Sequence, residues 1–133
     1  MKAPTWIRKD VLLAVHERLL AEHGGSSGIR AEGLLDSALG QPQNLFEYGN
    51  PTIFDLASSY ARGIIKNHRL VDGNKRTGFM AAYLFLGLNG YKFTADESDV
   101  AIKTLAVAEG KMKEEHYAGW LKENSTAVGK SRK

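Results

Sequence analysis

Five side chains with chemistry to offer fall within nine residues: His68, Asp72, Asn74, Lys75 and Arg76, in the stretch HRLVDGNKRTGF at positions 68–79. An amide and two consecutive cations can hold phosphate oxygens. Gly73 among them lets backbone N–H groups approach a ligand with no Cβ in the way. A carboxylate such as Asp72 is the donor that takes the magnesium ion accompanying a phosphate. His68, with an ordinary pKa near 6.5, can accept the proton of an attacking hydroxyl, a step worth roughly 10²–10⁴ in rate. The same residues also have a plain reading, in which Asp72 caps a helix, Lys75 and Arg76 are solvated and His68 lies on the surface. Spacing alone does not choose between the two. A P-loop is excluded, because the pattern GxxxxGK[ST] does not occur.

These residues need a rigid element behind them, and the sequence supplies one. From Phe79 through Met80, Ala81, Ala82, Tyr83, Leu84, Phe85, Leu86 and Leu88 there is almost no polar face, which predicts a central helix surrounded by others. Asp72 or Gly73 would cap it, and Asn89-Gly90 would end it. The motif therefore sits at a helix N-terminus, where unpaired N–H groups and the helix dipole favour an anion.

Upstream, residues 10–23 (DVLLAVHERLLAEH) repeat apolar positions at helical spacing before Gly24-Gly25. A shorter helix is expected over 31–39, stopped by Gly40 and Pro42. Residues 41–51 (QPQNLFEYGNP) read as a loop. Phe46 and Tyr48 within it are either core filler or a flap that grips a target chain, and the flanking residues favour the flap. Helical periodicity resumes over 52–66 (TIFDLASSYARGIIK), and two further helices are expected at 97–109 and 113–123, with Trp120 and Leu121 facing inward. The expected fold is an all-α bundle of about six helices with a buried central helix, a short flap and very little strand. One domain would span 1–133, with a flexible tail from about 125.

With 43% hydrophobic and 25% charged residues the composition is that of an ordinary globular protein, and the absence of cysteine excludes a disulfide framework or a thiolate metal site. His16, His23 and His116 show no i, i+4 pairing, so no zinc site is expected. The net charge of +3, partly carried by the final GKSRK, is compatible with nucleic acid or a phosphorylated ligand and selects neither. The opening MKAPTWIRKDV lacks the apolar core of a signal peptide, and the apolar run at 79–88 is too short to span a bilayer. A cytoplasmic protein without membrane contact is expected.

HRLVDGNKRTG resembles the signature of the Fic/Doc superfamily, written roughly H-x-F-x-D/E-G/A-N-G/K-R. The upstream stretch GIRAEGLLDSALGQPQ at 28–43 and the longer KNHRLVDGNKRTGF are similar to the Doc (death-on-curing) toxins, and the likeness runs from about residue 10 to 121. The resemblance implies an all-α Fic fold and a nucleotide-dependent transferase. Most Fic proteins transfer AMP to a protein hydroxyl, and their motif places glycine after the asparagine and a second arginine three residues past the first. Here Lys75 and Phe79 stand in those places. Doc toxins share both departures, and in them the nucleotide is held in the reverse sense, so that the γ-phosphoryl group moves. The chemistry agrees in direction. A long cation replaces bare backbone, and a bidentate phosphate clamp is lost.

Carried over by position, the resemblance makes His68 the base on the target hydroxyl and Asp72 the magnesium-linked carboxylate. Gly73, Asn74, Lys75 and Arg76 would hold the phosphates of ATP, with Lys66 as a further cation. Leu70 takes the usual phenylalanine position, an apolar and smaller packing residue. The implied activity is that of a kinase toxin acting on a threonine of elongation factor Tu and halting translation, neutralised by a Phd-like antitoxin, with no direct nucleic-acid contact. The inhibitory-helix pattern S/T-x-x-x-E-G/N of many Fic enzymes does not occur. Four residues before the glutamates of Glu32-Gly33, Glu109-Gly110 and Glu123-Asn124 stand Gly28, Leu105 and Gly119. Restraint by a separate partner is therefore expected. The alternatives are AMP transfer, disfavoured by Lys75 and Phe79, and a non-enzymatic helical module binding DNA or a partner. Against the module, Lys75 and Arg76 open a buried helix and do not share one exposed recognition face.

Overall fold

The structure, a computed structural model, describes residues 3–23, 32–66 and 74–128; of residues 20, 23, 32–35, 74 and 75 it describes the backbone alone. In chain order the elements are α1 (Lys9–His23), α2 (Glu32–Tyr48), α3 (Ile53–Lys66), α4 (Asn74–Leu88), β1 (Tyr91–Phe93), α5 (Glu97–Ala108), α6 (Glu114–Glu123) and β2 (Ser125–Ala127). The all-α bundle expected from periodicity is present, and one apolar cluster takes side chains from all six helices.

The centre of that cluster is α3, not α4 alone. Its start is fixed by a reciprocal cap, in which the Thr52 N–H donates to Asp55 Oδ2 at 2.8 Å and the Asp55 N–H donates to Thr52 Oγ1 at 3.1 Å. Beyond the cap, residues 56–61 and 63–65 are all buried. Ala57, Ser58, Ser59, Ala61 and Gly63 are small, which lets α2, α4, α5 and α6 approach it from different sides. The buried Ser58 hydroxyl is satisfied by donating to the Glu114 carbonyl at 2.7 Å. The more apolar α4 keeps one stripe uncovered, because Tyr83 and Leu88 stay about half exposed. Hydrophobicity alone pointed to α4. Small side chains, which raise hydrophobicity little, decide how many neighbours a helix can take.

A second correction concerns residues 41–51, expected as a loop. The helix α2 runs on through Pro42 to Tyr48, and only residues 49–52 connect it to α3. A proline inside a helix removes one hydrogen bond and costs about 3 kcal/mol. Here Ala38, Leu39, Pro42, Leu45 and Phe46 form a stripe at helical spacing that meets the core, and Pro42 itself is fully buried. The Phe46 ring meets Trp6 edge-on at 5.7 Å, and Trp6 in turn stacks on Phe85 at 6.0 Å. Burial of that stripe outweighs the proline.

The chain near residue 125 is also more ordered than expected. Antiparallel pairing joins Tyr91 to Ala127, Lys92 to Thr126 and Phe93 to Ser125, and the Val128 N–H donates to the Gly90 carbonyl at 2.8 Å. Gly90 has φ of +92°, which suits glycine in the turn from α4 into β1. At the same end of α4, the Thr5 N–H donates to Asn89 Oδ1 at 2.7 Å and the Asn89 amide donates back to the Thr5 carbonyl at 3.0 Å. No helix among the described residues is long and apolar enough to cross a membrane.

Candidate phosphate-binding site

The end of α3 and the start of α4 bracket residues 67–73. His68, Leu70, Asp72 and Gly73 lie outside the described residues, so the motif is described from Asn74 onward. Asn74 and Lys75 open α4 as backbone, followed by Arg76, which is exposed, and Thr77, which is buried. Lys66 is the last residue of α3. Its ammonium lies beside the turn between α5 and α6, where a Cβ built on Gly110 would sit 3.8 Å from it. Ile65, beside Lys66, packs closely against Gly78, two residues past Arg76.

The electrostatics of this helix start differ from those of its neighbours. The first turns of α1, α3, α5 and α6 contain Asp10, Asp55, Glu97 with Asp99, and Glu114 with Glu115. Carboxylates there neutralise the positive end of a helix dipole, each worth about 0.3–1 kcal/mol. The first turn of α4 has no acidic residue and instead reads Asn74-Lys75-Arg76. Two cations at the positive end oppose the helix unless an anion joins them. A local conflict of this kind is characteristic of binding sites, where stability is given up for function.

Packing holds that turn from two directions. A Cβ added to Gly78 would lie 2.5 Å from Ile65 Cγ1 and 3.0 Å from the Ala61 carbonyl oxygen, so only glycine permits this approach of α4 to α3. On another side, Thr77 Oγ1 and His16 Nδ1 share a hydrogen bond of 2.7 Å, one or the other donating according to the tautomer of the ring. His16, on α1, is 7% exposed and Thr77 is 2% exposed. Burial lowers the His16 pKa below its ordinary value, and the neighbouring Glu17 carboxylate opposes that shift in part. His16, Thr77 and Gly78 were not singled out as site residues from sequence. The one signal for them is the pair Thr77-Gly78, polar and small where the central helix should turn apolar.

The expected flap residues separate. Phe46 is core filler, held against Trp6 because the continued helix turns it inward, while Tyr48 at the end of α2 is 82% exposed. An apolar hollow lies at the opposite end of α4, among Tyr83, Leu84, Gly87, Leu88, Tyr91 and Val128, well along the helix from the cationic turn.

The family model described as "Fic/DOC family" matches residues 6–86, which include the whole of α1 to α3 and most of α4. The chain is 41% identical over 92 residues to "Toxin Doc" of Mycolicibacterium smegmatis, covering 67% of each chain. It is 28% identical over 117 residues to "Protein kinase doc" of Escherichia phage P1, covering 87% of this chain and 92% of that protein.

Proposed function

The chain belongs to the Fic/DOC family, in its Doc toxin branch, and from that premise we propose that it is a protein kinase. It transfers the γ-phosphoryl group of ATP to a hydroxyl of a protein target, which we assign as a threonine of elongation factor Tu. The observation that carries the reading is the first turn of α4, which lacks an acid and holds two cations where four neighbouring helices hold carboxylates.

In this mechanism the N–H groups opening α4, with Asn74, Lys75 and Arg76, hold the phosphates and stabilise the charge that moves during transfer. Gly73 lets the phosphates approach the backbone, and Lys66 adds a cation from the end of α3. His68 accepts the proton of the attacking hydroxyl, which then bonds to the γ-phosphorus as the bond to the bridging oxygen of ADP breaks. Asp72 is a hard oxygen donor of the kind magnesium takes, so it would hold the ion that accompanies ATP, and the bound ion supplies charge neutralisation at the phosphate oxygens. Tyr48, exposed at the end of α2, is the residue of the expected flap that remains available to a target chain. A toxin of this kind acts in the cytoplasm and is restrained in trans by a Phd-like antitoxin.

The test is incubation with elongation factor Tu and ATP labelled at the α- or the γ-phosphate. Transfer of the γ-label, abolished in His68→Ala, is the expected result. Transfer of the α-label instead would replace the kinase by an AMP transferase. Transfer of neither label, with His68→Ala as toxic as wild type in cells, would leave a non-enzymatic binding module.

A further inference from the structure

We propose that His16 is a positioning residue for phosphoryl transfer, acting through Thr77 to set the rotation of α4 and with it the direction of Arg76. The inference rests on the kinase reading above and adds to it a residue that lies 61 positions from its partner and on a different helix.

Arg76 and Thr77 are consecutive, so they leave the helix axis about 100° apart, and fixing one fixes the other. Thr77 is buried toward α1 and Arg76 is exposed. Gly78, the next residue, fixes how close α4 lies to α3, because Ile65 and the Ala61 carbonyl leave no space for a Cβ. Contact with glycine is a matter of distance and resists rotation weakly. Further along the helix the fully buried Ala81, Ala82, Phe85 and Leu86 fix its packing, and at the first turn rotation is resisted by the directed bond, 2.7 Å long, between the Thr77 hydroxyl and the His16 ring. A rotation of about 10° would carry a guanidinium held about 8 Å from the axis through more than about 1 Å, and a misplacement of that size can cost about 10²-fold in rate. A purely apolar contact at position 77 would bury as much surface but specify the angle of the first turn less sharply than a directional bond. The choice of a buried imidazole and a buried hydroxyl, each requiring the other, is explained by that need.

The experiment compares wild type with Thr77→Val, Thr77→Ser, His16→Phe and the double variant His16→Phe/Thr77→Val. Transfer is measured per folded molecule, at a temperature where circular dichroism shows each protein folded. Thr77→Val is expected to lower kcat about tenfold or more with KM for ATP changed less than about twofold, and Thr77→Ser to recover most of it. The double variant is expected to be no worse than either single one, because both remove the same bond. A kcat for Thr77→Val within about twofold of wild type, or a change in KM alone, would overturn the inference. If His16→Phe does not fold, the Val and Ser pair at position 77 decides. If wild type transfers no phosphate, the kinase reading fails separately, and the inference is then judged on growth arrest. At equal levels of folded protein, Thr77→Val must relieve the arrest and Thr77→Ser must retain it, and equal toxicity of the two would reject it.

Discussion

The two ends of α4 lie in one helix and are held in opposite ways. At the start, Thr77 is tied to His16 and Gly78 is pressed against α3, while the cations of the first turn have no carboxylate beside them in that turn. At the finish, Asn89 binds Thr5 and Phe85, Gly90 takes the turn, and Tyr83 and Leu88 face outward around Gly87, where an added Cβ would meet nothing. The start is tightly packed and carries cations, not carboxylates, within its first turn. The finish is well capped but loosely covered. Close packing and capping thus fall at opposite ends of a single element, and each end can be changed to expose the difference.

The largest effect is expected from Arg76→Glu. Transfer should fall by about 10²-fold or more, since the cation proposed to hold phosphate becomes an anion. Thermodynamic stability should nevertheless rise by about 0.3–1 kcal/mol, because the new carboxylate suits the helix start. Urea unfolding alongside a transfer assay checks both, and a loss of stability would show that the first turn is not strained by its own charges.

Next comes the contrast of two glycines nine residues apart. Gly78→Ala should cost about 1–3 kcal/mol through overpacking against Ile65 and the Ala61 backbone. Gly87→Ala should be neutral or stabilise by up to about 1 kcal/mol, the ordinary gain of alanine over glycine inside a helix. Equal shifts in the urea midpoint would erase the distinction between a packed and an open end.

The smallest effect is a pH dependence. Burial lowers the His16 pKa in the folded protein, so below about pH 6.5, the ordinary histidine value, the unfolded chain binds a proton that the native state does not yet take. Stability from this group is therefore fully present above that pH and declines as pH falls through it. His16→Phe should flatten the slope in urea unfolding measured from pH 7.5 to 5. An unchanged slope would mean that other groups dominate it.

Much of this was legible in the sequence, for reasons that differ by element. The helices α1, α3, α5 and α6 follow from local periodicity and from caps such as Thr52 with Asp55, which act within one turn. The continuation of α2 past Pro42 was not legible, because it depends on Phe46 meeting Trp6, forty residues earlier in the chain. Very little strand was expected and two three-residue strands are present, but their place was not legible for the same reason, since Ser125-Thr126-Ala127 carries no strand signal until Tyr91–Phe93 is beside it. For the proposed site, the types and spacing of Lys75 and Arg76 fit phosphate and a solvated helix start alike, and the family resemblance separates the two readings. The His16 and Thr77 pair was not legible, because a lone histidine in an amphipathic helix has no visible partner in one dimension.

The clasp between Thr5 and Asn89 has a kinetic consequence. It joins positions 84 residues apart, so closing it early would cost about 1 kcal/mol more loop entropy than forming the nearer contacts between α3 and α4. The expected order is late docking of the N-terminal segment, with Trp6 between Phe46 and Phe85, over helices already assembled, and φ-values near zero at Thr5 and Trp6 would check it. Interactions absent from the folding barrier leave the folding rate almost untouched and slow the reverse reaction. With that order the segment ahead of α1 is a brake on unfolding, lengthening the lifetime of the native molecule more than it hastens its formation.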